Sequence, residues 1–203
     1  VHAQIWSSGD VSGDPMLRGS YSKAIQENIE ISPQNILDLG CGAGMSTFEL
    51  QKIYPDAQLT GVDLSPYFLA VAKYRAEEAN QNINWVHSAA ETTGLPDGRF
   101  DLVSACLMFH ELPTTAAKEI ITEARRLLRP SGHLAIMDMN PQSEIFLKMP
   151  PYILTLLKST EPYLDQYFSL DMEQVFTDAG FETPSVTINS PRHRSVIARV
   201  KSN

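Results

Sequence analysis

Short apolar segments bounded by turn residues alternate with longer stretches in which apolar residues recur every three or four positions. The short segments are typical of strands buried in a sheet, and the longer stretches have the spacing of amphipathic helices. The predicted strands are 35–39, 58–62, 83–87, 100–106, 133–139, 181–188 and 195–201. The predicted helices are 14–30, 45–54, 65–79, 114–128 and 170–179.

The order of these elements indicates the fold class. After an opening helix they follow the pattern β-α-β-α-β…β-α-β, which predicts an α/β fold with an open, mostly parallel sheet and helices on both faces. The last two strands are joined by residues 189–194, a connection short enough to make them an antiparallel pair. A chain of 203 residues fits one domain, 1–203, with an N-terminal helical segment at 1–33.

Composition narrows the class of protein. The chain is 43% hydrophobic and 20% charged, which is typical of a globular domain. A net charge of −8 argues against a nucleic-acid partner held by bulk charge. Two cysteines suit a reducing compartment, and no apolar run has the length of a membrane span or a secretory leader. We therefore expect a cytoplasmic protein, or one of the plastid stroma if Val1 begins a processed or trimmed form. The sequence carries no signal for an oligomeric state.

A glycine-rich loop, Gly40-Cys41-Gly42-Ala43-Gly44, follows the first predicted strand. In open α/β sheets ligands bind beyond the carboxyl ends of the strands, and glycines let a ligand lie against the backbone. Asp63 ends the next strand, where one carboxylate can accept hydrogen bonds from both ribose hydroxyls. The loop and the acid together predict a nucleotide-like ligand.

Two positions distinguish between nucleotides. Met45 stands where the dinucleotide fingerprint G-x-G-x-x-G has its third glycine. Asp38, just inside the strand, would repel a pyrophosphate, whereas the ammonium and sulfonium groups of S-adenosylmethionine tolerate a nearby negative charge. The methyl donor is favoured, and an NAD-dependent oxidoreductase is the alternative enzyme.

Four segments resemble motifs of the class I S-adenosylmethionine-dependent methyltransferases. They are residues 36–44, 60–65, 89–103 and 127–134, in the family's order. The resemblance implies S-adenosyl-L-methionine as cofactor and a Rossmann-like seven-stranded sheet of order 3-2-1-4-5-7-6, with only the last strand antiparallel. Residues 12–21 and 63–68 also resemble uncharacterised methyltransferases of cyanobacteria and plastids.

The resemblance also assigns cofactor contacts. Gly40, Gly42 and their neighbours would hold the methionine moiety, Asp63 the ribose, and Leu64 the adenine. Many relatives carry an acid at the position of Ala89, so we expect that contact to be absent here or to be replaced by Glu91 or a backbone carbonyl. The expected contacts are Asp38, Gly40, Cys41, Gly42, Ala43, Asp63, Leu64, Ala89, Ala90, Glu91 and Cys106.

His110, just past the fourth strand, is the candidate general base. The alternative is a loop histidine that packs under the next helix or caps its start. Cys41 and Cys106 are interpreted as small buried thiols in preference to nucleophiles. Five histidines show no i, i+4 pair or Cys/His cluster, so no metal site is predicted.

Residues 141–170 leave the carboxyl end of the fifth strand and are predicted to form a substrate cap, although packing alone would also explain their aromatic residues. The turn at Arg192-His193-Arg194 would lie on the same face if the sixth strand is parallel, and would suit an acidic or phenolate substrate; a solvated turn is the alternative. The candidate substrate contacts are Tyr21, Tyr152, Arg192 and His193.

These features together predict a methyltransferase that acts on oxygen or carbon of a small aromatic or lipid-like molecule. A second possibility is a protein that binds S-adenosylmethionine but has lost catalysis, because an intact glycine loop and Asp63 indicate binding and not transfer.

Overall fold

The computed structural model describes residues 13–30 and 32–201, so the first twelve positions of the predicted N-terminal segment lie outside the described residues. The strands are β1 (Asn35–Leu39), β2 (Gln58–Asp63), β3 (Asn84–His87), β4 (Phe100–Cys106), β5 (Leu128–Met139), β6 (Ser185–Ser190) and β7 (His193–Arg199). The described helices are α1 (Gly13–Asn28), α2 (Met45–Ile53), α3 (Pro66–Glu78), α4 (Thr114–Leu127), α5 (Glu144–Leu147), α6 (Pro151–Thr160), α7 (Leu164–Ser169) and α8 (Met172–Asp178), with a 3₁₀ helix at Phe109–Glu111.

The strands form one seven-stranded sheet in the order β3-β2-β1-β4-β5-β7-β6. Pairing is parallel from β3 through β5, and β7 runs antiparallel to both β5 and β6. The Rossmann-like order and the single reversed strand are confirmed. Because β6 therefore runs in the same direction as β5, the β6–β7 turn lies at the carboxyl edge of the parallel strands.

Two apolar clusters cover the faces of the sheet. One contains Ile120, Ile121 and Ala124 of α4, which pack beside the wholly buried strand β4. The other contains Tyr21 and Ile25 of α1. The strands are buried on both sides because helices cover both faces of the sheet. This explains why the strands are continuous runs of apolar residues and do not alternate between apolar and polar residues.

Two predicted boundaries in the final hairpin are wrong. The sixth strand begins at Ser185 and not at 181, because Pro184 has no N–H to donate, and Phe181 makes only an isolated bridge to Val200. The seventh strand begins at His193 and not at 195, because the turn is tighter than the predicted connection. His193 consequently lies in a strand and pairs with Met139 of β5.

Residues 141–170 form helices α5, α6 and α7 on the carboxyl end of β5. Phe146, Leu157 and Leu164 are buried in the cluster that includes α4. Tyr167 is also buried, and its hydroxyl donates to the Met139 carbonyl at 2.8 Å. This segment therefore packs against the edge of the sheet where the parallel strands end.

Candidate functional site

A cleft of about 630 Å³ opens at the carboxyl ends of β1, β2 and β4. All but one of the predicted cofactor contacts line it: Gly40, Cys41, Gly42, Ala43, Asp63, Leu64, Ala89, Ala90, Glu91 and Cys106. The remaining one, Asp38, is buried in β1 beneath the loop. The structure therefore brings together residues that are separated by up to about seventy positions in the sequence.

The glycine loop requires glycine for two different reasons. Gly40 and Gly42 have positive φ of 62° and 53°, in the left-handed region that other residues rarely adopt. A Cβ on Gly40 would collide with the Met108 side chain, whereas a Cβ on Gly42 would meet nothing within 4 Å. Gly42 therefore borders open space, as expected of a loop that forms a cradle for a ligand.

Asp63 connects the glycine loop to the start of α3. Its Oδ2 accepts the Gly42 N–H at 2.7 Å, and its Oδ1 accepts the Ser65 N–H at 2.8 Å. Each carboxylate oxygen has a second lone pair, so Asp63 can hold the loop and still accept ligand hydroxyls. Ser65 in turn caps α3, as its hydroxyl accepts the Phe68 N–H at 3.3 Å.

Asp38 is a buried acid with unused hydrogen-bonding capacity. It is 1% exposed; its Oδ2 accepts the Thr47 hydroxyl at 2.6 Å, while Oδ1 has no hydrogen-bond partner among the described residues. Burial raises the pKa of Asp38 to about 6, against the Thr47 hydrogen bond and the charge of Arg18, which lower it. A buried acceptor without a partner beneath the loop suits a cationic or N–H-bearing ligand. The site thus fits a methyl donor, with its ammonium and sulfonium, better than a pyrophosphate.

Cys41 and Cys106 are both buried at the wall of the cleft. Burial raises the pKa of the Cys41 thiol well above its ordinary value, and the charges of Asp38 and Asp63 add to this effect. A thiol that keeps its proton is a poor nucleophile, which supports the interpretation of Cys41 as a small buried side chain.

Arg18 of α1 also lines the cleft and donates to Cys106 Sγ at 3.0 Å. Arg18 was not among the contacts predicted from the sequence. A signal was present, because Arg18 lies three positions before Tyr21 and shares its inward-facing side of the helix. A cation on the buried side of an amphipathic helix indicates an anionic or polar partner.

His110 lies in the 3₁₀ helix and is 5% exposed. Its Nδ1 is 2.7 Å from Asp138 Oδ1, and Asp138 Oδ2 accepts the backbone N–H groups of Phe109 and His110 at 2.7 and 3.2 Å. Burial lowers the pKa of His110, but Asp138, with Glu161 and Glu111, outweighs it and raises the pKa to about 9. Among the described residues, the cleft wall includes Glu111 and not His110, so the structure does not bring the imidazole to the cleft.

Tyr21 and Tyr152 are not brought to the cleft either. Tyr21 is 1% exposed, and its hydroxyl donates to the Ala135 carbonyl at 2.8 Å and shares a 3.0 Å hydrogen bond with Ser104. These contacts place the ring in the core, where it holds α1 against the sheet. Tyr152 is 74% exposed on α6 and lies outside the cleft.

Arg192 and His193 lie at the carboxyl edge of the sheet, as expected for a parallel β6. The Arg192 carbonyl accepts the Asn140 N–H at 2.7 Å, which ties the turn to the end of β5. His193 is buried, its Nδ1 lies 2.8 Å from Ser190 Oγ, and burial lowers its pKa to about 4. His193 is therefore neutral near pH 7, and the charge of the turn comes from its arginines.

The fold and this cleft define a class: an open α/β protein that binds a nucleotide-like ligand at a glycine loop. Comparison with known proteins makes the class specific. Residues 36–132 match the family model described as a methyltransferase domain. The chain is 33% identical over 156 residues to an uncharacterized methyltransferase, sll0829, of Synechocystis, covering 76% of this chain and 70% of that protein.

Other relatives have named activities. The chain is 28% identical over 164 residues to a ubiquinone biosynthesis O-methyltransferase of Aromatoleum aromaticum, covering 78% of this chain and 68% of the relative. It is 29% identical over 119 residues to a demethylmenaquinone methyltransferase of Thermus thermophilus, covering 59% and 53%. A SAM dependent methyltransferase from Aquifex aeolicus shares the fold, with a TM-score of 0.69 at 19% identity over 98% of both chains.

The chain belongs to the class I S-adenosylmethionine-dependent methyltransferases. Its cofactor is S-adenosyl-L-methionine, as Met45 and Asp38 predicted over NAD. Within residues 13–30 and 32–201, no helix combines the length and the apolar character needed to cross a membrane.

Proposed function

We propose that this methyltransferase transfers its methyl group to an oxygen or carbon atom of a small aromatic or lipid-like molecule. The observation that carries this proposal is the composition of the cleft wall beyond the glycine loop. Leu107, Met108, Leu112 and Ile120 line it there, and Arg18 and Glu111 are the charged residues beside them. An apolar wall with few polar groups favours an apolar acceptor over a polymer or a highly charged metabolite.

The names of two relatives support the same class of acceptor. One is an O-methyltransferase of ubiquinone biosynthesis, and the other a demethylmenaquinone methyltransferase. Both names refer to small molecules of quinone metabolism. Neither name establishes the substrate of this chain. They make phenolic, quinone-like molecules the first acceptors to assay.

Each part of the cleft has a proposed role toward the cofactor. Gly40 and Gly42 hold the methionine moiety, Asp63 accepts from the ribose hydroxyls, and Leu64 packs on the adenine. Residues 89–91 border the adenine ring. The Arg18 guanidinium suits a carboxylate at the same wall, such as that of a bound amino acid. When bound, S-adenosylmethionine supplies a methyl group activated by its positively charged sulfur.

The protein's own contribution to transfer is alignment and exclusion of water. His110 is buried and holds its proton near pH 7. Its placement therefore does not favour the predicted role as a general base. An acceptor that is already ionised, such as a phenolate, needs no base, and this accords with an apolar cleft without a free histidine at its described wall. The substrate cap at 141–170 stays a prediction; of its helices, α7 packs against the 3₁₀ helix.

The experiment is a screen of cell metabolites and phenolic quinone precursors with a labelled methyl donor. The wild-type chain should label an apolar acceptor, and the Asp63→Ala variant should not. Asp56→Ala, a change at an exposed acid, is the matched control and should behave as wild type. Donor binding without labelling of any acceptor would instead support a catalytically silent binding protein. Labelling confined to nucleic acid or protein would contradict the proposal.

A further inference from the structure

Three side chains from two separate parts of the sequence meet beside the cleft. His110 and Glu111 belong to the 3₁₀ helix, and Glu161 follows α6. His110 Nε2 lies 3.8 Å from Glu111 Oε1 and 3.9 Å from Glu161 Oε2. One ligand atom from each residue lies within 4.8 Å of the others. Because Glu161 is some fifty positions from His110, no sequence motif of fixed spacing indicates this cluster of three side chains.

The separations suit a shared cation better than direct hydrogen bonds. Hydrogen bonds between nitrogen and oxygen require about 2.7–3.2 Å, so 3.8 and 3.9 Å are too long. An ion placed among these atoms would lie about 2.5 Å or less from each, and a closure of a few tenths of an ångström gives the roughly 2.0–2.2 Å of Zn–N and Zn–O bonds. The side chains therefore have the positions of ligands around a small ion.

The imidazole is oriented for such a role by its other nitrogen. Nδ1 lies 2.7 Å from Asp138 Oδ1, and a carboxylate can only accept, so Nδ1 donates its proton there. When an ion displaces the proton of Nε2, the Nε2 lone pair faces Glu111 and Glu161. This carboxylate–histidine arrangement is the one that commonly orients a metal-binding histidine and raises its basicity.

The donor set of the cluster is also one that a divalent ion accepts. Asp138 and Glu161 are buried, and Glu111 adds a third carboxylate at the rim. Imidazole nitrogen and carboxylate oxygen are both common ligands of Zn²⁺.

We propose that His110, Glu111 and Glu161 bind one divalent first-row transition-metal ion, with Zn²⁺ as the best match to one imidazole and two carboxylates. The ion ties the 3₁₀ helix at the cleft wall to the segment between α6 and α7. It thereby fixes the predicted cap against the site. Glu111 is the ligand shared with the cleft, so the ion lies at its border.

The test uses the full chain, stripped with a chelator and then titrated with ZnCl₂ alone. Wild type should bind one Zn²⁺ per chain, and its thermal unfolding midpoint should rise with Zn²⁺, because an ion that binds only the folded state stabilises it. Glu111→Gln should weaken Zn²⁺ binding at least tenfold and abolish the shift. Glu111 is 62% exposed, so this variant should fold normally. Glu119→Gln, at an exposed position of α4, is the matched control and should bind Zn²⁺ as wild type does.

Two outcomes would overturn the proposal. One is Zn²⁺ binding that is absent or indifferent to Glu111→Gln, which would leave the cluster as a proton-bearing ion-pair network. The other is a Co²⁺ complex with thiolate charge-transfer absorption, which would place the ion on Cys41 or Cys106. No methyl donor enters these measurements, so their failure is distinguishable from failure of the proposed function.

Discussion

The ionisation of Asp38 should make the stability of the cofactor-free protein depend on pH. Burial raises the pKa of Asp38 to about 6, from the ordinary 3.8 of an aspartate side chain. The native state therefore holds the proton more tightly than the unfolded chain does. The contribution of Asp38 to stability is fully present below about pH 4 and is lost as the pH rises through about 6. Asp38→Asn keeps an oxygen for the Thr47 hydroxyl and removes the titration.

The size of the effect follows from that shift. A difference of about two pKa units corresponds to about 3 kcal/mol of unfolding free energy, at about 1.4 kcal/mol per unit. Relative to wild type, Asp38→Asn should therefore gain about 3 kcal/mol between pH 4 and pH 7. Urea unfolding at several pH values, without cofactor, measures this difference, and groups that titrate equally in both proteins cancel from it. Asp56→Asn, at an exposed acid, should show no such trend.

A stability difference between Asp38→Asn and wild type that is flat across this range, or that falls as the pH rises, would contradict the raised pKa of Asp38. A second consequence concerns the ligand. If the buried carboxylate faces the cations of the methyl donor, Asp38→Asn should bind the donor more weakly at pH 7, although its stability relative to wild type is higher there than at pH 4. A loss of binding that accompanies such a gain in stability is common for charged groups buried at binding sites.

Three further changes test the placement of individual residues. Gly40→Ala should lower the free energy of unfolding by about 1–2 kcal/mol and weaken donor binding, because it combines a left-handed φ with a collision against Met108. Urea unfolding measures the first effect and calorimetry the second. Unchanged binding would show that the loop tolerates a side chain. Tyr21→Phe should lower the unfolding free energy by about 1–2 kcal/mol, because it removes the hydrogen bonds of the Tyr21 hydroxyl to Ser104 and Ala135. Turnover by the folded enzyme should be unchanged. A large loss of kcat would instead support the predicted substrate role of Tyr21. Arg192→Ala should lower turnover without altering donor affinity if the β6–β7 turn binds an acidic acceptor, and the absence of any kinetic effect would favour the solvated turn.

Much of the fold could be predicted from the sequence because its signals are local. The strands 35–39 and 100–106 were predicted with the observed bounds, since a continuous apolar run between turn residues has few other interpretations. The glycine loop and Asp63 were predicted for the same reason, as each directly follows a strand. The 3-2-1-4-5-7-6 order came from resemblance, because neither periodicity nor spacing states which strands pair.

What the sequence could not predict depends on contacts between distant residues. The hydroxyl of Tyr21 has its partners on β4 and β5, so a residue that was predicted to contact the substrate is buried in the core instead. His110 meets Glu161, at the end of α6, because the chain returns there to the 3₁₀ helix, against which α7 packs. The strand that was expected to begin at 181 begins later, because Pro184 and the tight turn shift the hairpin by a few residues.

The account depends most on the claim that the glycine-loop cleft binds the methyl donor through Asp63. Isothermal titration calorimetry of wild type, Asp63→Ala and the control Asp56→Ala tests it, with S-adenosylmethionine, its demethylated product and NAD as ligands. We expect wild type and the control to bind the donor and the product and not NAD. Asp63→Ala should bind the donor about ten to a hundred times more weakly, from the loss of charge-assisted hydrogen bonds. Binding of NAD without a response to the other two ligands, or donor affinity unchanged in Asp63→Ala, would contradict the account.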